Sequence, residues 1–246
     1  QTNTLTLPEG QMWVETETEG VYEIGEIFAQ VHNGETKIGD YATFDAAVEV
    51  ANGEYTIKLL KSYDGTYTMT AGQTLIVDKN GFTFNKPTVD GAYIVSETSS
   101  GTVYTYTVGG ATWQINKGGT ITYTNNVQSV LSNPTNGMVV TLLKDASIGR
   151  TCIGSALTRN FSVTIDLGGH TLTSTNSSSD WSAIYFHDRA QNCSLTVQNG
   201  TLEVKNGAAN VFHVRGSQTL NLASTLTVDA TSDVVLIEGA VFLLYS

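Results

Sequence analysis

The sequence predicts an all-β protein, with a β-solenoid of short strands across its second half and a smaller, related β module in its first. Three observations carry this. First, one ordered unit is written twice: a helical opening at Tyr41-Ala-Thr-Phe44, a strand at Thr56-Ile-Lys-Leu-Leu60-Lys61 and a close at Leu75 to Phe84 return at Tyr123 to Asn126, Val140 to Asp145 and Val163 to Leu172. The offsets, 123 − 41 = 82, 144 − 61 = 83 and 166 − 78 = 88, differ only by small insertions, and repetition of this kind constrains architecture before any motif does. Second, a finer repeat follows Asp166. Strands at Val163–Ile165, Leu195–Val197 and Leu220–Leu222 are spaced 32 and 25 residues apart, interleaved with Ile184–Phe186, Val211–Val214 and Val234–Ile237 at 27 and 23, as expected for one coil per repeat. Third, only 14% of residues are charged and 40% are hydrophobic, with abundant Thr, Ser, Asn and Gly and just three Pro, a balance suited to short strands joined by polar turns.

Residues 1–33 alternate in the strand manner, with Gly10 and Gly20 between runs, and read as an N-terminal β segment. From Thr43 the period changes. Phe44, Ala47, Val48 and Ala51 share one helical stripe, Thr43 can cap it, Asp45 suits the first turn, and Asn52-Gly53 supplies a left-handed stop. Residues 34–108 are therefore expected to form a first β module. A second, shorter helix is expected after Asn126 as N-cap, with Val127, Val130 and Leu131 on one stripe and Pro134 beyond. Tyr93–Val95 and Val103–Val108 flank Ser99-Ser100-Gly101, a hairpin signal, so that residues 85–122 read as a connector built of strands. Residues 109–246 are expected to be the solenoid.

The short helix, the Thr-x-x-Leu-Leu-Lys strand and the Ile165-Asp-Leu-Gly-Gly169-His-Thr-Leu172 coil together resemble the opening of a right-handed parallel β-helix of the pectin lyase-like superfamily, in particular the repeat-bearing surface proteins of bacteria. The resemblance spans residues 37–84 and 123–238. It implies that the helices plug the solenoid, covering apolar rungs that would otherwise meet water. Asp78-Lys-Asn-Gly81-Phe departs from Asp166-Leu-Gly-Gly169-His and has no run of coils after it, so the first copy reads as a truncated module. At the other end, Ala240-Val-Phe-Leu-Leu-Tyr245 has no polar cap, which suggests further coils or self-association rather than a fold-back onto the body.

A formal charge of −11 and a pI near 4.6 argue against a nucleic-acid partner. No stretch is long and apolar enough to span a bilayer, so no membrane insertion is expected. The start at Gln1, without Met or signal-peptide pattern, fits either a processed secreted chain or an excised segment. Cys152 and Cys193 read as ordinary core or turn residues, with a single disulfide as the alternative.

For chemistry, Asp166, Asp188, Asp229 and Asp233 lie in or near the coils, but none forms an Asp-Asp or Asp-x-Asp pair. Asp166 is expected to cap a turn, with Gln198 as its neighbour on the next rung. His187-Asp188-Arg189 and His213-Val214-Arg215, offset by 26 residues, would stack imidazoles and guanidinia into a strip able to hold an anionic sugar. Pairing Ile184 with Val211 instead would put the two His on opposite faces. Among the aromatics, Trp13, Trp113 and Trp181 are scattered, and Trp181 stands out in the turn-like Ser177-Ser-Ser-Asp180-Trp-Ser. Tyr104 and Tyr106 share a strand face, and such rings stack on sugars. The candidate ligand-binding residues are thus His187, Arg189, His213, Arg215 and Trp181, with no catalytic residue, metal or cofactor expected.

The resulting expectation is a non-catalytic, extracellular structural or adhesive module of a bacterial surface or secreted protein, binding a glycan or a surface protein through its turns. Two alternatives stay open: a polysaccharide lyase or glycoside hydrolase whose acids gather on folding, and a phage or viral receptor-binding fibre component.

Overall fold

The structure, a computed structural model, describes residues 6–156, 160–187, 189–205, 207–238 and 241–244. It is all-β, 51% strand and 6% helix, with several parallel sheets. The chain divides into two compact units, Gln1–Gly110 and Ala111–Ser246.

The first unit contains β1 (Gln11–Glu15), β2 (Tyr22–Glu26), β3 (Ala29–Asn33), β4 (Thr36–Tyr41), α1 (Phe44–Ala51), β5 (Thr56–Leu59), β6 (Thr68–Met69), β7 (Thr74–Asp78), β8 (Thr88–Val89), β9 (Tyr93–Ser100) and β10 (Val103–Gly110). β1 and β2 form a hairpin of their own, and the main sheet runs β4-β3-β5-β7-β10-β9. Within it β5 and β7 are parallel, Thr56 opposite Ile76. The chain then repeats that parallel step twice, at a bridge between Tyr63 and Phe84 and between β6 and β8. The first unit therefore holds two successive passes through three parallel positions.

The second unit contains β11 (Trp113–Lys117), β12 (Thr120–Thr124), α2 (Val127–Leu131), β13 (Met138–Leu142), β14 (Ala146–Ile148), β15 (Thr151–Ile153), β16 (Ser162–Asp166), β17 (Thr171–Ser174) and β18 (Ile184–Phe186). There follow β19 (Ser194–Gln198), β20 (Gly200–Val204), β21 (Asn210–Arg215), β22 (Thr219–Leu222), β23 (Leu226–Ala230), β24 (Asp233–Glu238) and β25 (Val241–Leu244). From β13 onward the chain visits three ladders in fixed order: β13-β16-β19-β22-β25, β14-β17-β20-β23 and β15-β18-β21-β24, all parallel. Alternation explains why these segments are strands. In β16 and β19, Val163, Ile165, Leu195 and Val197 are buried while Thr164, Asp166, Thr196 and Gln198 are only half-buried. Cα partnering places Met138, Val163, Leu195 and Leu220 in one buried column and Val140, Ile165, Val197 and Leu222 in the next. Burial of each such side chain contributes about 1.5–3 kcal/mol.

Two expectations change here, over residues 85–122 and at the β9–β10 turn, while the cysteines and the terminal run follow their first readings. Residues 85–122 are not a connector: β9 and β10 complete the first sheet, antiparallel on β7, while β11 pairs antiparallel with β13. The β9–β10 turn sits at Gly101, with Ser99 and Ser100 inside the strand. Cys152 and Cys193 form no disulfide; the Cys193 thiol is buried and donates to the Gln191 carbonyl at 3.1 Å. Of the terminal apolar run, Ala240 and Tyr245 lie outside the described residues. Val241–Leu244 pair parallel with β22, extending the first ladder rather than folding back over the body.

α1 follows its sequence signals. The Thr43 hydroxyl accepts from Ala46 N at 3.2 Å, Asn52 stops the helix at φ 43°, and Phe44, Ala47 and Ala51 are buried. α2 is shorter and buries Val127 and Leu131, but Asn126 makes no side-chain cap. Its ψ of 87° falls short of the extended 156° at Thr43, and its N–H is held by the Thr124 hydroxyl at 2.9 Å. The Leu131 and Ser132 carbonyls are satisfied instead by Gly154 N and Ala156 N, tying α2 to the residues after β15.

Candidate functional site

The side chains that stand out for chemistry lie along the outward face of the third ladder. In the expected registers, His187 either stacked on His213 or faced away from it. The structure follows neither register. Ile184 pairs with Phe212 and Tyr185 with His213, an offset of 213 − 185 = 28. Because 28 is even, both imidazoles stay on one face, yet in neighbouring columns with Tyr185 between them: its ring centroid lies 5.2 Å from His187 and 5.1 Å from His213. Tyr185 is nearly buried at 9% exposure, and its strand neighbours Ile184 and Phe186 point into the core. Asp188 lies outside the described residues.

Trp181 occupies an insertion, residues 175–183, between β17 and β18. The Asn176 side-chain amide holds that loop, donating to the carbonyls of Trp181 at 2.8 Å and Ser182 at 3.1 Å, and Ala209 N also donates to Trp181 O at 3.0 Å. The indole is 50% exposed. The Arg150 guanidinium covers its ring, 3.8 Å from the centroid, and reaches towards Tyr185 at 5.3 Å. Arg150 Nε is buried and makes no hydrogen bond among the described residues, while the Arg150 carbonyl accepts from Gln128 Nε2 at 2.8 Å. Among the described residues, contact with aromatic faces stands in place of a carboxylate partner.

Arg215 and Arg189 do not stack on one another. Arg215 Nε donates to the Glu238 carboxylate, which also meets His213 Nε2 at 3.3 Å. These bonds, Arg215 first and then His213, hold the Glu238 carboxyl below its usual range, and the Glu238 bond raises the already high Arg215 value further. Arg189 turns elsewhere, with Nη1 donating to the Ser155 carbonyl at 3.4 Å. The face thus gathers Trp181, His187, His213 and Arg215 from among the expected residues and adds Arg150, Tyr185 and Glu238. One signal for Arg150 was present in the sequence, since all four Arg of this acidic chain fall between positions 150 and 215.

The chain matches no protein-family model, no curated protein and no solved structure.

The remaining sequence candidates sort by burial. Trp113 is 2% exposed and belongs to the core, so it is no sugar platform. Tyr106 is buried with Tyr104 stacked beside it, and burial, then Glu97 and Tyr104, pushes its phenol up to about 12. Asp166 caps its turn: Oδ1 accepts from Gly168 N at 2.9 Å, and Oδ2 accepts from both Gln198 and Asn199 side-chain amides at 2.9 Å. Glu203 and Asp229 do face each other across β20 and β23. Lys205 bridges them at 3.1 and 2.6 Å, and its ammonium, ahead of the Thr173 hydroxyl, lowers the Glu203 carboxyl. Two carboxylates fixed on one cation on an open sheet face are poorly placed to exchange protons with a substrate. Among the described residues, no group of three or more His, Cys, Asp and Glu could hold a metal ion, and no helix is long and apolar enough to cross a membrane.

Proposed function

We propose that the second unit is a right-handed parallel β-helix of the pectin lyase-like type, plugged by α2, and that the protein is a non-catalytic extracellular module of a bacterial surface or secreted protein which binds an acidic glycan on the outer face of β15, β18 and β21. The fixed order of three parallel ladders supports the architecture, and the matching parallel steps of the first unit support a shorter version of it there. The observation that carries the binding role is the half-exposed Trp181 with Arg150 packed on its ring, beside Tyr185 and two imidazoles. A half-exposed indole offers ring face to a pyranose, and a guanidinium with no carboxylate partner among the described residues suits a uronate carboxylate.

Isothermal titration of the full chain with an oligogalacturonate and with a neutral oligosaccharide of equal length tests this. The acidic sugar should bind, more weakly as salt rises, and Trp181→Ala or Arg150→Gln should each weaken it by about tenfold or more. Equal affinity for the neutral sugar, or no effect of either substitution, would remove the proposal; release of shorter or unsaturated products would favour an enzyme.

A further inference from the structure

The β1–β2 hairpin bears the most exposed apolar surface of the first unit, and nothing in the glycan reading uses it. Register places Trp13 opposite Ile24 and Glu15 opposite Tyr22, so Trp13, Tyr22 and Ile24 share one face. They are 44%, 55% and 52% exposed. A shallow, open hollow of about 420 Å³ is lined by Trp13 and Tyr22. Among the described residues the hairpin pairs with no other strand; Glu26 is tied to Lys61 by an ion pair. A lone two-stranded ribbon gains little stability from such a face by itself, and exposed aromatic patches with polar rims mark interaction surfaces.

Charge specifies the occupant. The hairpin and its approach carry Glu9, Glu15, Glu17, Glu19, Glu23 and Glu26, with no Lys, Arg or His anywhere in residues 1–31. A second copy would bring the same acidic rim and be repelled, and an anionic membrane surface likewise. A Lys- or Arg-rich protein segment meets no such barrier: its alkyl stems lie along the Trp13 and Tyr22 rings, its cations over aromatic faces, and Glu15, on the same face, with the acidic approach receives its charge. We infer that the Trp13–Tyr22–Ile24 face of the hairpin is a docking surface for a basic protein segment, separate from the Trp181 face.

The test uses the full chain and a synthetic peptide of alternating Arg and Leu, with an alternating Glu and Leu peptide as control, read by calorimetry and by the Trp13 indole N–H resonance. The basic peptide should bind and shift that resonance, more weakly at high salt. Trp13→Ala and Tyr22→Ala should each weaken binding by about tenfold, while Trp181→Ala leaves it unchanged. Both substituted side chains are exposed, so circular dichroism should show an unaltered fold. Comparable binding of the acidic peptide, or basic-peptide binding indifferent to both Trp13→Ala and Tyr22→Ala, overturns the inference. So does self-association in sedimentation, or capture by anionic vesicles, that Trp13→Ala abolishes in the absence of peptide binding.

Discussion

β7 and β16 hold matching places in the two units, each following a hairpin, a short helix and a strand with which it pairs in parallel, yet their far edges meet opposite fates. Along β7 the chain returns antiparallel as β10, ending the sheet in a hairpin. Along β16 it stacks parallel β19, and two further strands follow. The two turns that leave these strands share a hydrogen bond and two left-handed positions. Asp78 and Asp166 each accept from the N–H two residues on, at 2.9 Å, and residues 80 and 168 are both left-handed, as are Gly81 and Gly169. The difference lies in what the turns present to the next layer. Leu167 is fully buried at its corner, and Gly200 of the following pass lies so close that a Cβ there would meet the His170 carbonyl at 2.5 Å. In the first unit the same corner holds Lys79, whose ammonium lies 3.8 Å from the Tyr104 ring centroid on β10. A buried leucine invites another layer; a cation over a tyrosine belongs to an edge.

The largest test of that contrast is a charge in the shared column. Leu195→Asp should cost more than about 4 kcal/mol, because an unpaired carboxylate enters a column with no polar partner. Amide resonances of the second unit should collapse towards random coil, and those of β3, β5 and β7 should persist. Next in size, Gly200→Ala should cost about 3 kcal/mol in chemical denaturation, since backbone and a stacked side chain must both give way. Gly81→Ala should cost only about 1 kcal/mol, the strain of a left-handed alanine.

Alkaline titration singles out the first unit. Tyr106 is raised from 10.0 to about 12 by burial, so the folded form holds its proton more tightly than the unfolded chain. That contribution is intact below pH 10 and lost as pH rises through about 12, roughly 2–3 kcal/mol in all. Tyr106→Phe should flatten this part of the stability profile. Smallest are the helix caps: Thr43→Ala should cost about 1 kcal/mol, and Asn126→Ala less than about half of that, because only Thr43 caps with its side chain. Paired thermal melts of the two variants would measure the difference.

Parts of this fold were plain in the sequence for physical reasons. Val163, Leu195 and Leu220 sit inside strictly alternating strands, and their spacings of 32 and 25 are the registers observed. The second ladder was harder to see, since its strands are short and its interior accepts small or polar residues such as Ala146 and the fully buried Ser174. In the candidate site the residue types were visible and the register was not. The 175–183 insertion and the unequal turns around it break the even spacing, so an offset of 26 stood in for 28. Tyr185 lies between two core residues in a fully apolar triplet and gave no sign of facing outward. Arg150 gained meaning only when folding brought it onto Trp181.

Interstrand nuclear Overhauser effects across β16, β19 and β22 test the parallel ladders most directly, because the outward faces of the second unit are defined by parallel stacking. Parallel pairing should connect the backbone protons of Val163 to those of Leu195, and of Leu195 to those of Leu220, with amide-to-α contacts staggered along each strand and no close α-to-α pairs. Strong α-to-α contacts between these strands, as antiparallel partners give, would contradict the stacked arrangement and with it the placement of Trp181, Tyr185 and the two imidazoles on one face.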